Sequence, residues 1–190
     1  MHLTNCWCVL QKMINIEEIL NSHLKVNTKT FNKGHLIQQA ESSTAPSIYV
    51  KKGILRSYII DSNGKEHIYM FASKGYIIGD IEAMEYHQST QLYIDCLEDC
   101  EVILFDKEKL LTFLSKEHTL IFNQLLSRRI GRLQRRVLML MGTPAIDRYG
   151  YFLETYPELP NRVPQKMIAS YLGITPQTLS SIRSEIARKK

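Results

Sequence analysis

The pattern of apolar residues predicts an α+β chain in three parts: an antiparallel sandwich or barrel, one long helix, and a C-terminal helix–turn–helix domain. Three observations carry this. Between about residues 30 and 106, short β-rich runs are broken by Gly, Asn and Asp at intervals of roughly ten residues. Further on, Leu126, Ile130, Leu133, Val137 and Leu140 are spaced 4, 3, 4, 3, the heptad pattern of helices packed along their lengths. Near the end, "MIASYLGITPQTLSSIR" carries helically spaced apolar residues on both sides of Gly173. The expected boundaries are 1–117, 118–142 and 143–190.

In chain order, "INIEEILNSHLK" has helical spacing at Ile16, Ile19, Leu20 and Leu24. The strand candidates are "HLIQQ", "SIYVKKG", "ILRSYIID", "HIYMFASKG", "QLYIDCLED" and "CEVILFD". Asn63-Gly64 lies between two of them and is expected to supply the positive φ angles of a tight hairpin. "DKEKLLTFLSKE" predicts a short helix, and a helix of about 24 residues follows, spanning roughly 36 Å. Its other faces hold Arg128, Arg129, Arg132, Arg135 and Arg136, with no acidic residue between Glu117 and Asp147. These charges are expected to lack local partners and to face water or an anion. Gly142 is expected to break the helix, with Thr143 as the next N-cap and Pro144 at the first helical position. A helix through "AIDRYGYFLETY" then stops at "PELPNRVP".

The helix–turn–helix reading rests on filled slots. Pro164 starts the first helix, Ala169 is the small contact residue, and Gly173 occupies the turn. Ile168, Leu172, Ile174, Leu179 and Ile182 form the locking face, while Thr175 caps the second helix and Pro176 opens it. The opposite face carries Gln177, Thr178, Ser180, Ser181 and Arg183, with Lys166, Arg188, Lys189 and Lys190 around it. Short hydrogen-bonding side chains plus cations suit base edges and phosphates, whereas a packing-only hairpin would present Glu/Lys pairs. Charge agrees. From residue 121 onward there are 12 Lys/Arg against 4 Asp/Glu, while residues 1–120 hold 12 and 15, so the basic half is expected to meet double-stranded DNA.

Other classes fit less well. No apolar run reaches the length of a membrane span, and the N-terminus lacks the basic lead of a signal peptide, so a cytoplasmic protein with no membrane partner is expected. Cys6, Cys8, Cys96 and Cys100 do not make a zinc pattern and are expected to be free thiols. His35, His67 and His87 are separate, with no HxH or HxxxE pair in a strand. Neither a metal site nor a catalytic site is expected, and the chain is read as no enzyme.

The order of parts resembles the Crp/Fnr superfamily, the relatives of catabolite activator protein. "YVKKGILRSYIIDSNGKEHIYMF" is similar to the family's central β-roll stretch, and "VPQKMIASYLGITPQTLSSIR" to its DNA-reading unit, most closely in short members without a β-hairpin wing. The resemblance implies a cyclic-nucleotide-binding-like jelly roll (a β-roll), a dimerisation helix, and a homodimeric bacterial transcription regulator. RNA polymerase is a further implied partner. Gln177 and Ser181 match the family's base-reading positions; Lys166, Thr175 and Thr178 match its phosphate contacts. Pro176, Gln177 and Ser181 replace the family's usual readout residues, so the target sequence does not carry over.

Nucleotide-binding members hold the ribose with a Gly-Glu pair and the cyclic phosphate with an Arg-Ser/Thr-Ala motif. Here Gly79 and Asp80 stand in the Gly-Glu places, and Ser89, Thr90 and Gln91 cover the arginine region, with no arginine from Ser57 to Ser127. Without that cation a buried phosphate loses a charge-assisted bond of roughly 1.5–3 kcal/mol. Standard cyclic AMP binding is therefore not expected. The effector is expected to be a different small molecule, or none, with no confident cofactor. The runner-up reading is a dimeric sensor or scaffold with a degenerate pocket and little sequence-specific DNA binding.

Overall fold

The computed structural model describes residues 16–24 and 26–188, so Cys6, Cys8, Lys189 and Lys190 lie outside the described residues. Two compact units meet between Phe113 and Leu114.

Among the described residues, the first element of this first unit is α1 (Ile16–Leu24). Eight strands follow: β1 (Thr28–Phe31), β2 (Leu36–Gln38), β3 (Ser47–Lys52), β4 (Leu55–Ile60), β5 (Glu66–Ala72), β6 (Ile77–Ile78), β7 (Tyr93–Cys96) and β8 (Cys100–Phe105). Two short helices complete it, α2 (Ile81–Glu85) before β7 and α3 (Lys107–Phe113) after β8. The strands form two antiparallel four-stranded sheets, ordered β1-β8-β3-β6 and β2-β7-β4-β5. Because the chain crosses repeatedly between sheets, apolar residues from both meet in one core: Ile48, Val50, Ile78 and Val102 with Leu55, Ala72 and Ile94. This is the β-roll form of the expected sandwich or barrel. Strands β1 and β6 escape the sequence pattern, since "TKTF" is mostly exposed and β6 is two residues long. Leu20 of α1 is fully buried, and Glu17 bridges Lys51 at 2.8 Å.

The β4–β5 hairpin differs in detail from the expected turn. Only Gly64 has a positive φ, +76°. Gly64 N–H donates to the Asp61 carbonyl and Asp61 N–H to that of Lys65. The connection is thus a type I turn closed by a left-handed glycine, which needs one such residue rather than two. Gly53 has a stricter requirement, because a Cβ there would lie 2.5 Å from the Cys100 sulfur.

The second unit contains the long helix α4 (Lys116–Gly142), α5 (Ala145–Thr155), α6 (Gln165–Leu172) and α7 (Pro176–Arg188). The Ser115 hydroxyl caps α4 by accepting from His118 N–H at 3.2 Å. At 27 residues, α4 is about 40 Å long. Two expected helix starts shift by one residue. Gly142 remains helical, Thr143 ends α4 in an extended conformation, and Pro144 occupies the cap position of α5. Pro164 likewise precedes α6. Rather than the predicted N-cap, Thr143 is the C-cap of α4, its N–H donating to the Met139 carbonyl, and Pro144 holds the cap position of α5 with no side-chain cap bond. An aromatic cluster missed in the sequence holds the unit together: Phe152 lies 5.6 Å from both Tyr156 and Tyr171, and the latter two meet edge-on at 5.9 Å. Among the described residues no helix is long and apolar enough to cross a membrane.

Candidate functional site

The α6–α7 pair is built around Gly173, whose left-handed φ of +65° ends α6. Ile168, Ala169, Leu172, Leu179 and Ile182 are buried between the helices and their supports, while Ile174 is half-buried. All four final carbonyls of α6 have partners. Ile174 N–H donates to Ala169 (3.0 Å) and Gly173 N–H to Ser170 (3.1 Å). Arg136 donates to the Tyr171 carbonyl (3.1 Å) and Arg148 to that of Leu172 (2.7 Å). Thr175 then starts α7, its hydroxyl accepting from Thr178 N–H at 3.1 Å.

With Leu179 and Ile182 turned inward, α7 exposes Gln177, Thr178, Ser180 and Ser181, and Arg183 is half-exposed. Lys166, Thr175 and Arg188 are exposed as well. The Ser181 and Ser184 hydroxyls rest on the helix carbonyls of Gln177 (3.2 Å) and Ser180 (3.0 Å). Each keeps its acceptor lone pairs directed outward.

On α4 the heptad residues Ile130, Val137 and Leu140 are 59%, 56% and 44% exposed, and Leu126 and Leu133 are half-buried. Leu120, Leu138 and Met141 extend this exposed apolar surface. Leu140 also reaches the turn, since a Cβ on Gly173 would lie 3.1 Å from its Cδ2. The expectation that the α4 arginines lack local partners is corrected. Arg136 lies over the Tyr171 ring at 4.1 Å and Arg135 over Tyr151 at 4.7 Å, and Arg129 and Arg132 are also engaged. For Arg135 and Arg136, aromatic faces and a helix-end carbonyl supply negative potential.

In the β-roll, Asp80, Thr90 and Gln91 come together, while Ser89 is exposed apart from them. Asp80 is buried and caps α2. One carboxylate oxygen accepts from Ala83 N–H (3.1 Å); the other accepts from the Thr90 hydroxyl (2.6 Å) and Gln91 N–H (3.1 Å). Gln38, absent from the sequence-based site, donates to Thr90 at 2.9 Å. Gly79 permits a close approach, because a Cβ there would be 3.0 Å from the Pro46 carbonyl oxygen. A separate open cleft of about 640 Å³ runs between the 43–46 loop, α2 and the start of α3, and none of the five predicted pocket residues lines it.

Two further features were only partly legible. Arg56 is buried, paired with Asp95 by two 2.8 Å bonds and with Glu66, and lies 4.1 Å above Tyr58. Burial works against its charge, yet the bonds to Asp95 and Glu66 outweigh that and push its pKa up. The signal was there, a lone cation inside the apolar run "ILRSYII". Cys96 and Cys100 are free and buried.

A β-roll followed by a helical unit that ends in a helix–turn–helix defines the class by architecture: a two-part chain, mostly β first and all helical second. Residues 28–117 match the cyclic nucleotide-binding domain family. No curated protein matches the chain by sequence. Among solved structures, a CooA variant from Carboxydothermus hydrogenoformans is similar at 20% identity and TM-score 0.72, covering 93% of this chain and 85% of that one. A CRP/FNR family transcriptional regulator from Thermus thermophilus is similar at 18% identity and TM-score 0.67, covering 86% and 87%. The c-di-GMP responsive global regulator CLP of Xanthomonas campestris is similar at 13% identity and TM-score 0.67, covering 91% of each. At these identities the likeness is one of fold, shared over most of the chain, and the sequence match is confined to residues 28–117.

Proposed function

We propose that this chain is a cytoplasmic, homodimeric transcription regulator that binds double-stranded DNA through α7. The observation that carries the reading is the outer face of α7. Gln177, Thr178, Ser180 and Ser181 are exposed on a helix anchored from behind by Leu179 and Ile182. Gln177 is a bidentate partner for adenine, Ser181 and Arg183 complete the base-facing row, and Lys166, Thr175 and Thr178 hold phosphates. The exposed α4 seam supplies the second copy, which sets two heads about one turn of duplex apart.

The β-roll serves as the sensor, without holding a cyclic phosphate in the usual way. Support comes from Asp80, whose oxygens are already engaged by three protein donors, and from Thr90 in the region of the family's arginine. CLP is described as c-di-GMP responsive, so an effector other than cyclic AMP is compatible with this fold.

The test is selection from a random duplex library with the full-length protein at about 150 mM salt, where non-specific binding is weak. An enriched two-fold symmetric site is the expected result. A folded dimer that enriches no sequence, and releases all duplexes alike as salt rises, favours the sensor or scaffold reading instead.

A further inference from the structure

We infer that Arg136 and Arg148 are positioning residues that tie the end of α6 to α4 and to α5, and so fix the reading head on the long helix. For its functional consequence, the inference rests on the DNA-binding proposal above.

The accounting of helix-end carbonyls leads to it. An α-helix leaves its last carbonyls without intrahelical donors. In α6 the chain itself satisfies two, through Gly173 and Ile174. The remaining two, on the buried residues Tyr171 and Leu172, take guanidinium donors. Those donors come from opposite sides of the break at Thr143: Arg136 from α4 and Arg148 from α5. Two cations at a helix C-terminus also complement its dipole. Arg136 is itself seated on the Tyr171 ring, and Leu140 of α4 abuts the Gly173 turn closely enough that a Cβ would crowd it. Three side chains from two helices therefore converge on one end of α6.

A connection of this kind resists bending at Thr143. Swinging the head relative to α4 would strip the buried Tyr171 carbonyl of its Arg136 donor and open the Leu140–Gly173 contact. The Arg148 bond to Leu172 meanwhile keeps α6 fixed on α5, so that the head moves as one piece. The orientation of α7 thus follows α4, and in a dimer the spacing between the two heads is set where the α4 helices pair.

The experiment compares the full-length protein with Arg136→Ala and Arg148→Ala, two variants so that one folding failure does not end the test. Hydrogen exchange at the Gly173 and Ile174 amides is expected to quicken at least about tenfold in either variant, with α4 itself unchanged. Unchanged exchange overturns the lock, whether or not DNA binds. Each protein then meets the selected duplex and versions with one base pair added or removed at the centre. The wild type is expected to reject altered spacing, and the variants to lose at least about fivefold of that discrimination. A variant that binds every spacing more weakly by the same factor has lost stability only, and overturns the positioning role. If the wild type selects no duplex, the DNA reading fails, and the exchange result alone decides the lock.

Discussion

In the β-roll corner, Gln38, Asp80 and Thr90 are 3%, 6% and 1% exposed and hydrogen-bond one another. On α7, Gln177, Ser180 and Ser181 are exposed, and no neighbouring element covers them. Both regions are rich in short polar side chains, yet physics constrains them differently. A buried polar group must be matched within the protein or it destabilises the fold. Asp80 and Thr90 therefore answer to their neighbours first, and a ligand role for them competes with that pairing. The outer face of α7 is under no such demand. Its run of amide, hydroxyl and guanidinium groups is not fixed by burial, so it is informative about what the helix meets.

The largest effect that sharpens this contrast is expected from Val137→Lys. Val137 is 56% exposed in the single chain, so a lysine there leaves the helical unit folded. In a seam it places a charge in the interface and separates the two copies. The expected outcome is a light-scattering mass of one chain, and duplex affinity lowered at least about 100-fold through loss of the second head. A variant that stays dimeric removes α4 from the dimer interface.

The helix–turn–helix was legible in the sequence because its demands are local. Gly173 needs a left-handed angle, Thr175 needs to cap, and Ala169 needs to be small; each is a requirement on one residue and its neighbours. The roll's strands were legible for the same reason, apart from β1 and β6, whose pairing comes from β8 and β3 rather than from their own composition. What stayed hidden was long-range. Nothing near Arg136 in sequence announces Tyr171, and Gln38 reaches Thr90 across 52 positions. Spacing rules see one helix turn or one strand pair. They cannot see which distant carbonyl ends up in front of a guanidinium, so those arginines read as free charge when the fold had already engaged them.

The roll side of the contrast is tested by Thr90→Val, which keeps the shape and deletes the hydroxyl. Asp80 then loses its 2.6 Å donor, and Gln38 loses one of its two acceptors and keeps the Leu92 carbonyl. A destabilisation of roughly 1–3 kcal/mol is expected in urea unfolding of the roll. The helical unit and its binding to DNA should change little. If stability is untouched, the corner is not a structural cluster, and Asp80 regains its standing as a ligand-facing group.

Asp61 tests the boundary between these two behaviours, since it is only half-buried yet still occupied by its own turn. Its carboxylate accepts from His67 (2.7 Å) and from the backbone N–H groups of Asn63 (2.9 Å) and Lys65 (3.0 Å). The His67 contact, then the Lys65 and Asn63 bonds, hold its pKa down to about 2, against an ordinary 3.8. A pKa depressed on folding means the stabilisation is present above the unfolded value and is lost as pH falls through the folded one. The hairpin is therefore expected to loosen between about pH 4 and pH 2, seen as faster exchange of the Asn63 and Lys65 amides. Asp61→Asn should flatten that profile without touching α7. The effect is the smallest of the three because water reaches every partner and screens the charge. A wild-type profile as flat as that of Asp61→Asn would mean that the turn is set by Gly64 alone, with the carboxylate as a bystander.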